Sequence, residues 1–222
     1  MSADVSSTAP AAPAGPADVA AVAIGASAGG IDAVERLLAA LPACTPFCVL
    51  VVLHLPSRRP SRLVEIFAPQ CALPVEEPMD KQPAQPGRVY VAPPDYHLLV
   101  EPQGTLALSV DEPVLYSRPA IDPLFESAAV AYGPRLLALV LTGASADGAA
   151  GLAAVRRAGG TAWVQRPDTA LARTMPQAAL DAAGADAVLG LDEMAERLRQ
   201  LAQGVRPAYP DSPGACAPKQ RE

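Results

Sequence analysis

AVAIGASAGGIDAV (residues 21–34) joins a short apolar run, a cluster of small residues and the start of a helical pattern. Read as strand, turn and helix, it is the opening unit of a layered α/β fold. Its centre, GASAGG (25–30), admits two chemistries. The glycines could let a phosphate approach the backbone, or they could present Ser27 as the reagent. A dinucleotide fingerprint needs glycine where Ser27 stands and an acidic residue about twenty positions on, where this chain has the run CVLVVLHL ending near His54. The GK[ST] ending of a P-loop is missing too. GASAG (25–29) instead matches the G-x-S-x-G nucleophile pattern in the strand–turn–helix setting that pattern requires. The plainer reading, Ser27 as a helix cap, stays beside it.

The same alternation continues along the chain. Strands are expected at 19–25, 48–55, 135–143, 161–165 and 185–189, with a short extended piece at 73–78. Helical patterns fill 30–42, 61–69, 122–133, 147–160, 175–184 and 192–204. The segment 87–110 is β-rich, with PPD and PQG as turn signals. Strands apolar on both faces and separated by helices imply a three-layer, mainly parallel, Rossmann-like α/β sheet. The 87–110 segment adds an antiparallel hairpin extension. An Ala/Pro/Ser-rich arm (1–17) and a Pro-rich tail (204–222) are expected to be disordered around one domain at 18–203.

Composition narrows the function. Of 222 residues, 50% are hydrophobic and only 4% aromatic, so Ala, Val and Leu must build the core. A net charge of −6 disfavours a nucleic-acid partner or an acidic membrane surface. No stretch reaches the roughly 18–20 apolar residues of a membrane span, and the N-terminus lacks the pattern of a secretory signal. The expectation is therefore a cytoplasmic protein without membrane insertion. Cys44, Cys48, Cys71 and Cys216 show no metal-ligand spacing, so they read as reduced and mostly buried, with no metal and no cofactor.

Parallel α/β sheets bind ligands beyond the carboxyl ends of their strands. Ser27 comes two residues after the first apolar run, His54 sits at the carboxyl end of the second, and Asp147 follows 135–141 through the loop TGASA, which places all three on one edge of the sheet. Serine becomes a useful nucleophile only when an imidazole takes its proton, and the imidazole needs a carboxylate to fix its tautomer. These are the three groups present. His97 is the only other histidine available as the base, and Asp95, Asp122 and Asp168 rival Asp147. The order Ser, His, Asp departs from that of the α/β-hydrolases, so a lipase-like fold is disfavoured.

With these segments in view, the chain resembles the catalytic domain of the chemotaxis receptor methylesterase family, CheB, over about residues 19–200. AIGASAGG (23–30), VVLHLP (51–56) and LTGASADGAAG (141–151) are similar to its nucleophile, histidine and aspartate segments. PGRVYVAPPDYHLLVE (86–101), RPAIDPLF (118–125) and MPQAAL (175–180) resemble the segments between. The resemblance implies a protein-glutamate methylesterase with Ser27 as nucleophile, His54 as base and Asp147 as its orienter. It also implies action on a methylated chemoreceptor or related signalling protein. Backbone amides near Ala28 and Ala144 would bind the oxyanion, and Arg118 would line the site and attract an acidic substrate. The family's usual receiver domain has no counterpart before residue 18. A stand-alone form is therefore expected, with a separate response regulator as a candidate partner. Two loops depart from the family: Ala28 stands where Thr is usual, and residues 142–148 read TGASADG where TGMGxDG is common. These departures motivate a rival reading, a non-catalytic docking module on the same fold. A second rival is a hydrolase of glutamine side-chain amides or other small esters.

Overall fold

The first strand, β1 (Ala21–Ala26), is buried along its whole length and feeds α1 (Gly30–Ala39) through a three-residue turn. This computed structural model describes residues 19–55 and 60–204. The arm expected over 1–17, nearly all of the tail expected over 204–222, and Cys216 lie outside the described residues. Helix α1 closes at Ala39, three residues short of the expected end. The Ala40 amide already folds back onto the Leu37 carbonyl and the Leu41 amide onto that of Leu38, and Pro42 has no amide to continue the helix.

From there the chain runs β2 (Cys48–Leu53), α2 (Leu63–Phe67), β3 (Val75–Glu76) and β4 (Val89–Val91). The hairpin strands β5 (His97–Val100) and β6 (Leu106–Ser109) follow, then α3 (Ile121–Tyr132) and β7 (Leu136–Val140). The last third is α4 (Ala149–Arg157), β8 (Thr161–Gln165), α5 (Thr174–Ala183), β9 (Ala187–Leu189) and α6 (Leu191–Ala202). Seven strands make one parallel sheet in the order β3-β4-β2-β1-β7-β8-β9. The hairpin expected within 87–110 is present, but only 89–91 joins the main sheet. Strands β5 and β6 pair antiparallel as a separate two-stranded sheet.

Side-chain parity sorts the core into two layers, because neighbours along a strand face opposite ways. Val22, Ile24, Val49, Val51 and Trp163 pack with α1, α2 and α6 on one side. Ala21, Ala23, Leu50, Val52 and Val164 pack with α3, α4, α5 and the hairpin on the other. On that second face β1 offers only Ala21, Ala23 and Gly25. A Cβ on Gly25 would lie 2.4 Å from Ile121 Cγ2, so glycine there lets the first residue of α3 rest directly on the strand.

Strand β1 connects through α1 toward β2, whereas β7 connects through α4 toward β8 on the opposite side. The point where the order reverses therefore lies between β1 and β7. A crevice at the carboxyl ends of those strands is the usual ligand position in such a sheet. Among the described residues no helix is long and apolar enough to cross a membrane. The cysteines correct one expectation: Cys48 is buried, but Cys71 is half-buried and Cys44 exposed. Cys71 packs at the margin of the core layer that holds α1, α2 and α6, and Cys44 lies in the loop between α1 and β2.

Candidate active site

Register brings the first two candidate residues together. Ala26 pairs with Leu53, so Ser27 and His54 lie one step further along neighbouring strands, whose spacing is roughly 4.8 Å. The ladder continues past both strand ends: the His54 amide donates to the Ala26 carbonyl at 3.3 Å, and the Ser27 amide to the Thr142 carbonyl at 2.9 Å. Gly25 and Val52 have the parity that faces α3, and Ser27 and His54 share it by alternation. Gly29 then turns the chain at φ 75°, a backbone state that suits glycine, and Gly30 approaches Leu53 and Ala26 too closely for a side chain. The glycines of GASAGG thus serve the turn and the helix packing.

Asp147 arrives from the other side. It is wholly buried, and its Oδ2 accepts from His54 Nε2 at 2.7 Å. The same oxygen accepts the Ile121 amide at 2.6 Å, and Oδ1 accepts the Asp122 amide at 3.0 Å. Those amides open α3, whose flanking residue Ala120 offers no side-chain cap. The carboxylate of Asp147 therefore caps a helix that begins 26 residues earlier in the chain, at the end where the helix dipole favours a negative charge. Burial by itself would push the Asp147 carboxyl up. The hydrogen bonds from His54, Ile121 and Asp122 outweigh it and hold the group below the usual carboxylate range.

With Nε2 of His54 engaged by Asp147, Nδ1 is the ring nitrogen left to accept a proton. Among the described residues no hydrogen bond engages the amides of Ala28, Gly29, Ala144 or Ser145. Such amides next to a nucleophile are what a developing oxyanion requires. The Ser145 departure adds a bond, since Ser145 Oγ accepts the Asp147 amide at 3.1 Å. The site thus holds the groups for acyl transfer through a serine ester. No group of histidine, cysteine or acidic residues among those described could hold a metal ion.

The rival residues sit elsewhere or do other work. His97 is buried, with Nδ1 accepting the Ala120 amide at 3.2 Å and Nε2 on the Glu112 carbonyl at 3.1 Å. Both nitrogens hold backbone, which leaves it no free basic position. Asp168 is exposed in the turn Pro167–Thr169, and Asp95 adopts φ 67° with its amide on the Arg118 carbonyl. Arg118 Nη1 donates to the Val110 and Asp111 carbonyls at 2.7 and 2.9 Å, and so fastens the segment leading to α3.

Thr142 went unnoticed in the sequence. Its hydroxyl donates to the Ala28 carbonyl at 2.8 Å and accepts the Ala172 amide at 2.9 Å, while its own amide donates to Gln165 Oε1 at 2.8 Å. One buried side chain thereby ties the nucleophile turn, the aspartate loop and the loop before α5. Thr142 and Gln165 each stand at or just past a strand end, the same position that marked Ser27 and His54, and that signal could have found them.

Comparison with known proteins gives concordant findings. The family model described as CheB methylesterase matches residues 22–198. A Leptospira interrogans protein provisionally named protein-glutamate methylesterase/protein-glutamine glutaminase is 41% identical over 180 residues, covering 81% of this chain and 93% of its own. Protein-glutamate methylesterase/protein-glutamine glutaminase 6 of Anaeromyxobacter dehalogenans is 40% identical over 82% of this chain, a match that fills 54% of that protein. Among solved structures, the CheB methylesterase catalytic domain of Thermotoga maritima superposes with a TM-score of 0.78 at 31% identity, covering 82% of this chain and 98% of that one.

Proposed function

The chain belongs to the CheB methylesterase family, and on that premise we propose that it hydrolyses glutamate γ-methyl esters on chemoreceptor-like proteins through Ser27, His54 and Asp147. The carrying observation is the wholly buried Asp147 carboxylate 2.7 Å from His54 Nε2, at the strand end beside Ser27. In this reading His54 Nδ1 accepts the Ser27 hydroxyl proton as Oγ attacks the ester carbonyl. The imidazolium so formed is stabilised by Asp147, whose charge three hydrogen bonds preserve. Unengaged amides at Ala28 and Gly29 on one loop, and Ala144 and Ser145 on the other, receive the oxyanion. His54 returns the proton to the departing methanol, leaving an acyl ester on Ser27. Water, deprotonated by the same imidazole, then releases the free glutamate.

The names of the relatives favour a second substrate for the same site, a glutamine side-chain amide. Its carbonyl is attacked in the same way, and ammonia leaves in place of methanol. For Arg118 the proposal narrows to holding the 110–119 segment, because its Nη1 is already engaged by two carbonyls.

Methanol release from a methylated chemoreceptor, measured for the wild type and for Ser27→Ala, tests the reading. Release by the wild type and none by the variant is expected. Equal release by both removes Ser27 from the chemistry. No release by either, with receptor binding kept, leaves a docking module.

A further inference from the structure

The acidic residue beside Asp147 has no role in the chemistry above, yet its carboxyl is turned into the same junction. Asp122 is the second residue of α3, and its Oδ1 accepts the amide of Gly151 at 2.7 Å. Gly151 is the third residue of α4, whose flanking Gly148 has no side chain to cap it. The two helices therefore exchange caps: Asp147, just before α4, serves the first amides of α3, and Asp122 of α3 serves an amide of α4. The exchange is possible because the two first turns touch. A Cβ on Gly151 would lie 2.7 Å from Phe125 Cβ and 3.0 Å from both Cα and the carbonyl oxygen of Asp122.

We propose that Asp122 is a positioning residue of this site, its carboxyl locking the start of α4 to the start of α3 and so holding Asp147 against His54. The inference rests on the reading in which Asp147 orients His54. Asp147 reaches His54 from a loop that Thr142 and Gly143 anchor at its start, while the Ser145 turn and the first turn of α4 hold the stretch around Asp147 itself. When Gly151 loses its acceptor, the first turn of α4 can slide along α3 and carry Asp147 with it. A shift on the order of 1 Å in a catalytic group costs about a hundredfold in rate.

Charge is not what the lock needs. Burial pushes the Asp122 carboxyl up to about 6, the neighbouring charges of Asp147 and Glu126 add to that, and the Gly151 and Gly148 amides oppose it. The neutral acid and the carboxylate both present an oxygen to Gly151, and so does an asparagine of the same shape.

The test compares kcat and KM for Asp122→Ala and Asp122→Asn in the methanol-release assay, with Ser27→Ala as the control, at a temperature where each protein is folded by circular dichroism. Asp122→Ala is expected to lose about tenfold to a hundredfold in kcat with KM nearly unchanged, and Asp122→Asn to keep most of it. If the alanine variant does not fold, Asp122→Ser, whose hydroxyl is too short to reach Gly151, carries the same comparison. A wild-type kcat in the alanine or serine variant overturns the proposal. So does an asparagine variant as impaired as they are, which would mean that charge rather than the lock matters. An active Ser27→Ala would instead sink the underlying reading, whatever Asp122 does.

Discussion

Replacing Thr142 by valine keeps the shape of a side chain that is only 2% exposed and deletes the hydroxyl that joins three loops. Two hydrogen bonds disappear, to the Ala28 carbonyl and from the Ala172 amide. Each contributes about 1 kcal/mol net, and a partly buried amide left without an acceptor adds a further cost of about 1 kcal/mol. Ala28 is exposed, so water can serve its carbonyl and no second such cost arises. The sum is on the order of 2–3 kcal/mol, which for a chain of this size lowers Tm by about 5–10 °C. The consequence for activity follows from the planar peptide. The bond to the Ala28 carbonyl fixes the Ala28–Gly29 peptide, and with it the direction of the Gly29 amide. In the proposed mechanism that amide, freed from Thr142, no longer waits for the oxyanion, and loss of one such donor costs about 10²–10³ in kcat. KM should change little, because nothing that binds the substrate is removed. Thr142→Ser keeps the hydroxyl and should retain most of the rate. Thermal unfolding and methanol release measured on both variants decide the matter. A valine variant with wild-type kcat would refute the link from Thr142 to the oxyanion donors, and one with unchanged Tm would refute the hydrogen bonds themselves.

Asp147→Asn is expected to lower kcat by about 10⁴, as loss of the orienting carboxylate does in Ser-His-Asp enzymes, since an amide cannot accept from His54, Ile121 and Asp122 together. Methanol release within tenfold of the wild type would count against Asp147 as the orienter. Stability should respond to pH with opposite signs at the two carboxyls. Asp147, held below the usual carboxylate range, contributes stability that is present above that range and lost as pH falls through its folded value. Asp122, raised from 3.8 to about 6, contributes stability that is complete below 3.8 and lost as pH rises through about 6. The Tm of Asp122→Asn relative to wild type should therefore climb between pH 4 and pH 7, and a flat difference would contradict the raised value. Gly25→Ala puts a methyl group 2.4 Å from Ile121 Cγ2 and should lower both Tm and kcat, because Ile121 supplies an amide to Asp147. Full activity in that variant would show that α3 does not set Asp147.

The legible parts of the fold were those with a local cause. The strand Thr161–Gln165 begins and ends where expected, because its apolar run is bounded by glycines before it and a proline shortly after. Helix α3 shifts by one residue, from 122–133 to 121–132. The 87–110 segment was less legible. Its alternating pattern fits any half-buried strand, and nothing local shows that 89–91 joins one sheet while His97–Val100 pairs in another.

The sequence by itself determined the parallel α/β layering, the positions of Ser27 and His54 just past strand ends and that of Asp147 in the loop leading into the next helix, since hydrophobic period and turn chemistry act over a few residues. Tertiary structure alone decided what holds these groups. Asp147 draws its amides from a helix that starts 26 residues earlier, Asp122 returns the favour to Gly151 from 29 residues away, and the Thr142 hydroxyl meets Ala28 across 114. An amide at a helix start looks the same in any sequence. Which carboxylate reaches it depends on how closely the elements can approach, and here Gly25 lets α3 rest on β1 and Gly151 lets α4 meet α3 by having no side chain.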